Sequence, residues 1–147
     1  MPIRKEKRGK KPAYRYATVM LIDDSEIDNF INQKVIESNY FAEKIYVNTG
    51  GISALEFLKN LVVNEQLAPK LIPQVIFIDL NMPLMDGFQF IYQFLKLPAL
   101  ITRNARLIIL TSSFNPADRE KAQALSISKN VTFLNKPLTD ESLASIP

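Results

Sequence analysis

The apolar run Val75-Ile76-Phe77-Ile78, cut off at Asp79, constrains the fold of this chain more than any other feature. A continuous apolar run of that length, closed by a turn, predicts a strand buried on both faces, and therefore a sheet covered by helices on both sides. Asp79 then lies at the C-terminal edge of the strand, where open α/β sheets place their ligands. Pro83 stiffens the loop that follows. Asp86-Gly87, with Gln89 three residues beyond Asp86, predicts an N-cap and a helix start.

Four further strands fit the same pattern. Thr18 to Ile22 predicts a buried strand ending at Asp23-Asp24, and Ser25 to Asp28 resembles a capping box with Asp28 in the Glu/Gln position. Ile27, Phe30, Ile31 and Val35 repeat at helical spacing, so a helix is expected to about Ser38. Lys44 to Asn48 predicts a short alternating strand with Ile45 and Val47 inward. Gly50-Gly51 breaks it, and Ala54, Leu55, Leu58, Leu61 and Val62 mark a second helix. A polar loop from about Asn64 to Pro73, longer than the minimum, leads back to the Asp79 strand. The third helix spans Gly87 to about Lys96, with Phe90, Ile91, Phe94 and Leu95 inward. Arg106 to Leu110 is the fourth strand, ending at Thr111-Ser112-Ser113. Asn115-Pro116 fits an N-cap with proline at the first helical position, opening a polar helix to about Leu125. Val131 to Leu134 is the fifth strand, ending at Asn135-Lys136-Pro137, and the last ten residues have room for one short helix.

Strands alternating with helices imply right-handed crossovers and a mostly parallel sheet. The fold class is α/β, a doubly wound five-stranded parallel sheet with helices on both faces, for which the flavodoxin-like order 2-1-3-4-5 is common. In that order the first and third strands are neighbours, so Asp23-Asp24 and Asp79 share one edge. Thr111 and Lys136 reach the same edge from the fourth and fifth strands.

Composition narrows the chemistry. The chain has no cysteine and no histidine, which excludes disulfides, thiolate-ligated zinc, thiol catalysis and any internal phosphohistidine. Residues 1–17 hold seven Lys and Arg against one Glu, whereas residues 18–147 hold eleven against fourteen acids. The basic stretch is expected to be a disordered arm over residues 1–16, followed by one domain over 17–147. The bland reading of the arm is a solubilising tail. Its aromatic content is limited to Tyr14 and Tyr16, so nucleic acid is not the expected partner. No apolar run reaches the ~18–20 residues of a membrane span, and the N-terminus lacks the apolar core of a signal peptide, so the cytoplasm is the expected compartment.

Three neighbouring carboxylates disfavour one another's charge, and a hard divalent cation relieves this. With no His or Cys available, oxygen-ligated Mg²⁺ is the natural choice. A carboxylate beside Mg²⁺ can attack phosphorus and form an aspartyl phosphate. Lys136 and the Thr111 hydroxyl would then hold the transferred oxygens.

Asp23-Asp24 after the first strand, Asp79 in D-L-N-M-P-L-M-D-G, Thr111-Ser112 after the fourth and Lys136-Pro137 after the fifth together resemble the receiver domain of two-component response regulators. The resemblance runs from residue 17 to about 145, and the strand order rests on it. It implies that Asp79 is the phosphoacceptor. Asp24, Asp79 and the backbone carbonyl of Asn81 would ligate Mg²⁺, with Asp23 acting through water. Lys136 would pair with the acceptor and then with the phosphoryl group. Thr111 would swing toward that group and let the ring of Phe133 turn inward, while Asn81 and Ser113 would tune phosphoryl lifetime.

A histidine kinase or phosphotransfer protein would have to donate in trans, unless a small phospho-donor does so. The message would pass by phosphorylation-dependent binding to a further protein, and a monomer or weak dimer is expected. Only eleven residues follow Lys136, so a stand-alone receiver with no output domain is expected, a signalling module and not an enzyme. The short last helix departs from the family's usual length and leaves contacts through that face open. Two alternatives compete: a receiver-like scaffold that is never phosphorylated, and an Asp-nucleophile phosphohydrolase. The second requires an acid at the position of Asn81, whose amide cannot exchange a proton.

Overall fold

The computed structural model describes residues 12–63, 69–112, 115–128 and 131–147. Five strands, β1 (Tyr16–Ile22), β2 (Ala42–Asn48), β3 (Val75–Asp79), β4 (Arg106–Thr111) and β5 (Val131–Asn135), form one sheet in the order β2-β1-β3-β4-β5. Every pairing is parallel. The register sets Ile22 beside Ile78, Asp79 beside Leu110 and Thr111 beside Asn135, so the strand tips line up along one edge. That is the expected α/β fold and strand order.

The helices are α1 (Glu26–Ser38), α2 (Gly51–Val63), α3 (Gly87–Phe94), α4 (Ala99–Thr102), α5 (Pro116–Ser128) and α6 (Asp140–Ala144), with a 3-10 turn at Pro69–Leu71. The central strands bury both faces, as their apolar runs require. Ile76 and Ile78 of β3 join a core with Ala54, Leu58, Phe90, Ile91 and Phe94 from α2 and α3. Val75 and Phe77 face the opposite side, with Ile36 of α1 and Leu143 of α6. Each such side chain removed from water contributes about 1.5–3 kcal/mol. Asp86 and Gln89 complete the expected capping box of α3, at 2.8 and 2.9 Å. Asn115 Oδ1 accepts from the Ala117 N–H at the start of α5.

Four expectations need correction. Most of the apolar stripe of α1 does not enter the core: Ile27 and Phe30 are 71% and 60% exposed and Ile31 is also exposed, only Val35 packs against the core, and Asn29, Asn32 and Ile36 are buried. The asparagines turn inward because the strand ends and the loop before α6 offer them hydrogen-bond partners. Val47 is exposed, since it lies near the end of the edge strand. The turn α4 was not foreseen; it opens at Pro98 without a side-chain cap and is held by buried Ile101. Ser25 supplies only half a capping box, accepting from the Asp28 N–H at 3.2 Å while the Asp28 side chain goes elsewhere.

The basic residues from Arg4 to Lys11, Ser113 and part of the loop after α2 lie outside the described residues. Arg15, counted by charge with the arm, donates from its guanidinium to the carbonyls of Leu143 (3.0 Å) and Ile146. No helix among the described residues is long and apolar enough to cross a membrane.

Candidate functional site

Each strand tip is fixed by backbone contacts before its side chain matters. The Asp23 N–H donates to Asn48 at the end of β2 (3.1 Å), and Leu80 N–H donates to Leu110 of β4 (3.0 Å). The Lys136 N–H donates to the Thr111 carbonyl at 2.9 Å, which draws the end of β5 over β4. A cis peptide joins Lys136 to Pro137, and the Leu138 N–H then donates to Asn32 Oδ1 at 3.0 Å. Asn29 donates to the carbonyl of Asp23 at 2.9 Å, tying α1 to the tip of β1. The loop after Asp79 folds back tightly: the Gly87 N–H donates to Leu80 at 2.9 Å, and a Cβ at Gly87 would stand 2.9 Å from the Asp79 carbonyl. Only glycine fits there without moving backbone.

Carboxylate oxygens of Asp23, Asp24 and Asp79 all lie within 4.8 Å of one another. Asp23 and Asp79 are buried and Asp24 is exposed. Lys136 Nζ donates to Asp23 Oδ2 at 2.6 Å, Asp79 Oδ1 at 2.9 Å and Asp28 Oδ2 at 3.1 Å. The second oxygen of Asp23 accepts from the Ser25 N–H at 2.9 Å. Burial pushes the Asp79 carboxyl above the usual carboxylate range; Lys136 pulls it back, and the charges of Asp23 and Asp24 add to the rise. Burial works against the Lys136 ammonium, but the hydrogen bonds it donates to Asp23, Asp79 and Asp28 more than reverse this and hold it above the usual lysine range.

Thr111 is fully buried, two residues past Ile109 and paired with Asn135. Phe133 is half-buried on the same face of β5 as Asn135, packs on the core beside α5, and lines a cavity of about 430 Å³ with Arg119, Ala122 and Gln123. Asn81 is exposed, two residues beyond Asp79.

The cluster therefore gathers Asp23, Asp24, Asp79 and Lys136 as expected, with Thr111 on the adjoining strand tip. Sequence reasoning missed Asp28. An acid one turn into the helix after Asp23-Asp24 carried the signal, but the capping pattern accounted for it locally. Among the described residues this is the one acidic cluster suited to a metal ion. Its donors are all hard oxygens, which fits Mg²⁺ or a similar cation and not a thiolate- or imidazole-seeking metal.

Known proteins agree with this geometry. The family model described as response regulator receiver domain matches residues 19–146. The chain is 30% identical over 128 residues to the sensor histidine kinase CheAY of Helicobacter pylori, covering 87% of this chain and 14% of that protein. It is 27% identical over 100 residues to the response regulator Rcp1 of Synechocystis, covering 68% of this chain and 65% of Rcp1. The chain thus spans less than two thirds of either relative. A crystal structure of a two-component response regulator from Cytophaga hutchinsonii superposes with a TM-score of 0.76 at 32% identity, covering 89% of this chain and 93% of that one. The Mn(2+)-bound form of Rcp1 shares the fold, with a TM-score of 0.64 at 24% identity and 86% of each chain covered. With its strand order, its acidic cluster and a family match over nearly its whole length, the chain belongs to the response regulator receiver domain family.

Proposed function

We propose that this receiver accepts a phosphoryl group on Asp79 from a histidine kinase or phosphotransfer protein, and that the phosphorylated form signals by binding a further protein. The observation that carries this reading is the sharing of the Lys136 ammonium between the buried acceptor Asp79 and its neighbour Asp23, at 2.9 and 2.6 Å. In the transfer, an Asp79 oxygen attacks phosphorus, the P–N bond of the donor phosphohistidine breaks, and the imidazole leaves with the electron pair. Lys136 orients the acceptor and stays within reach of the phosphoryl oxygens. The Thr111 hydroxyl approaches from β4, and its movement would be read by Phe133, for which the adjoining cavity leaves room.

Asp24 and Asp79, with the Asn81 carbonyl, would hold Mg²⁺ directly. Both Asp23 oxygens already have partners, which favours an outer, water-mediated role for that residue. When bound, Mg²⁺ supplies neutralisation of the phosphoryl charge. Asn81 and Ser113 would tune phosphoryl lifetime. The exposed apolar residues Ile27, Phe30 and Ile31 of α1 support a protein donor, because Ile31 lines the cavity shared by Asp28, Ser112, Lys136 and Pro137. A non-phosphorylated scaffold would leave this ion-pair cluster without a purpose.

The test is intact mass after incubation with Mg²⁺ and acetyl phosphate, run beside Asp79→Asn and a chelator-treated sample. One phosphoryl adduct on the wild type alone is expected. No adduct, together with no binding of beryllofluoride, would put the scaffold reading in its place.

A further inference from the structure

Lys136 has three N–H donors, and all three are used. The acceptors differ in kind. Asp23 and Asp79 stand on strand tips with side chains 4% and 8% exposed. Asp28 reaches the ammonium from the first turn of α1, makes the longest of the three contacts and is 40% exposed. It opens onto a cavity of about 370 Å³ that Ile31, Asn32, Ser112, Lys136 and Pro137 also line. Its side chain is not needed to start the helix, because Ser25 caps α1 through the Asp28 backbone N–H.

We propose that Asp28 is a positioning residue that competes with the phosphoryl group for Lys136, and so weakens this receiver's hold on that group. The inference rests on the phosphoacceptor reading of Asp79. A phosphoryl group on Asp79 needs a share of the ammonium that Asp28 now holds. Removing the carboxylate tightens phosphoryl binding, by roughly two- to fivefold for an ion pair this exposed.

The experiment titrates beryllofluoride, followed by ¹⁹F NMR, into the full chain at saturating Mg²⁺, with Mg²⁺ affinity measured separately by calorimetry. Wild type, Asp28→Asn and Asp28→Glu are compared. Asp28→Asn is expected to bind beryllofluoride about two- to fivefold more tightly, with Mg²⁺ affinity unchanged and the gain shrinking as salt is added. Asp28→Glu, which restores the charge, is expected to return toward wild type. Unchanged or weaker beryllofluoride binding by Asp28→Asn overturns the proposal. A fall in Mg²⁺ affinity as large as the gain for beryllofluoride also overturns it, because the carboxylate would then act through the general field of the acidic cluster, which attracts the cation as it repels the anion, and not through Lys136. Failure of the wild type to bind beryllofluoride at all overturns the phosphoacceptor reading, and this inference with it.

Discussion

Helices α1 and α3 carry similar amphipathic patterns and dispose of them oppositely. In α3 the apolar residues Phe90, Ile91 and Phe94 are fully buried beneath the sheet's α2 side. In α1 the apolar residues Ile27, Phe30 and Ile31 face out, and Asn29 and Asn32 face in. Periodicity fixes which residues share a stripe, but it does not say which stripe the sheet takes. That choice depends on what the sheet offers. Beneath α3 the sheet presents Ile76, Ile78 and Ile109, whereas the inner side of α1 meets the Asp23 carbonyl and the Leu138 N–H. Unpaired, those polar groups would each cost about 1–3 kcal/mol, so amides take the inner face over the first two turns of α1, and only Ile36, beyond them, enters the core.

The largest effect that breaks the comparison is expected in α3. Phe94→Ala should lower the unfolding free energy by about 3–5 kcal/mol, read from the midpoint of urea denaturation. A loss below ~1 kcal/mol would mean that α3 is not anchored by its buried stripe.

A middle-sized effect sharpens the account of α1. Asn32→Leu keeps the number of side-chain heavy atoms and raises hydrophobicity, so transfer from water alone predicts no loss. Because it leaves the Leu138 N–H without its acceptor, a loss of about 1–3 kcal/mol is expected instead. Unchanged stability would show that the hydrogen bond does not orient the helix.

The same contrast explains what could be read in the sequence. The strands at 18–22, 75–78, 106–110 and 131–134 were legible because each apolar run stops at or beside a residue with chemistry: Asp23, Asp79, Thr111 and Lys136. Given parallel crossovers, those stops must share an edge, and four of the site's polar residues followed from that. The turn α4 was hidden because a one-turn helix opening at Pro98 has no period to detect. Asp28 was hidden because a local explanation, the capping box, was sufficient for its place in the chain. Its partnership with Lys136 spans 108 positions and depends on how α1 sits on the sheet. The inward asparagines were missed for the same reason, since their partners Asp23 and Leu138 belong to other elements.

The smallest effect on stability, and the one that separates packing from recognition, is expected at Phe30. Its ring is exposed and its described contact is with Lys34, whose ammonium lies 5.3 Å from the ring centre. An exposed cation–π contact is worth about 0.5–1 kcal/mol, which bounds the loss in Phe30→Ser. Loading of Asp79 by acetyl phosphate should not change, because the ring lies outside the acidic cluster. A phosphohistidine protein able to load the wild type must bring its imidazole to Asp79 past the rim that α1 borders, so its transfer to Phe30→Ser should slow. Equal transfer rates would remove this face from the donor contact. Slower loading by acetyl phosphate as well would place Phe30 in the chemistry of the site, and the outward stripe of α1 would then need a different explanation.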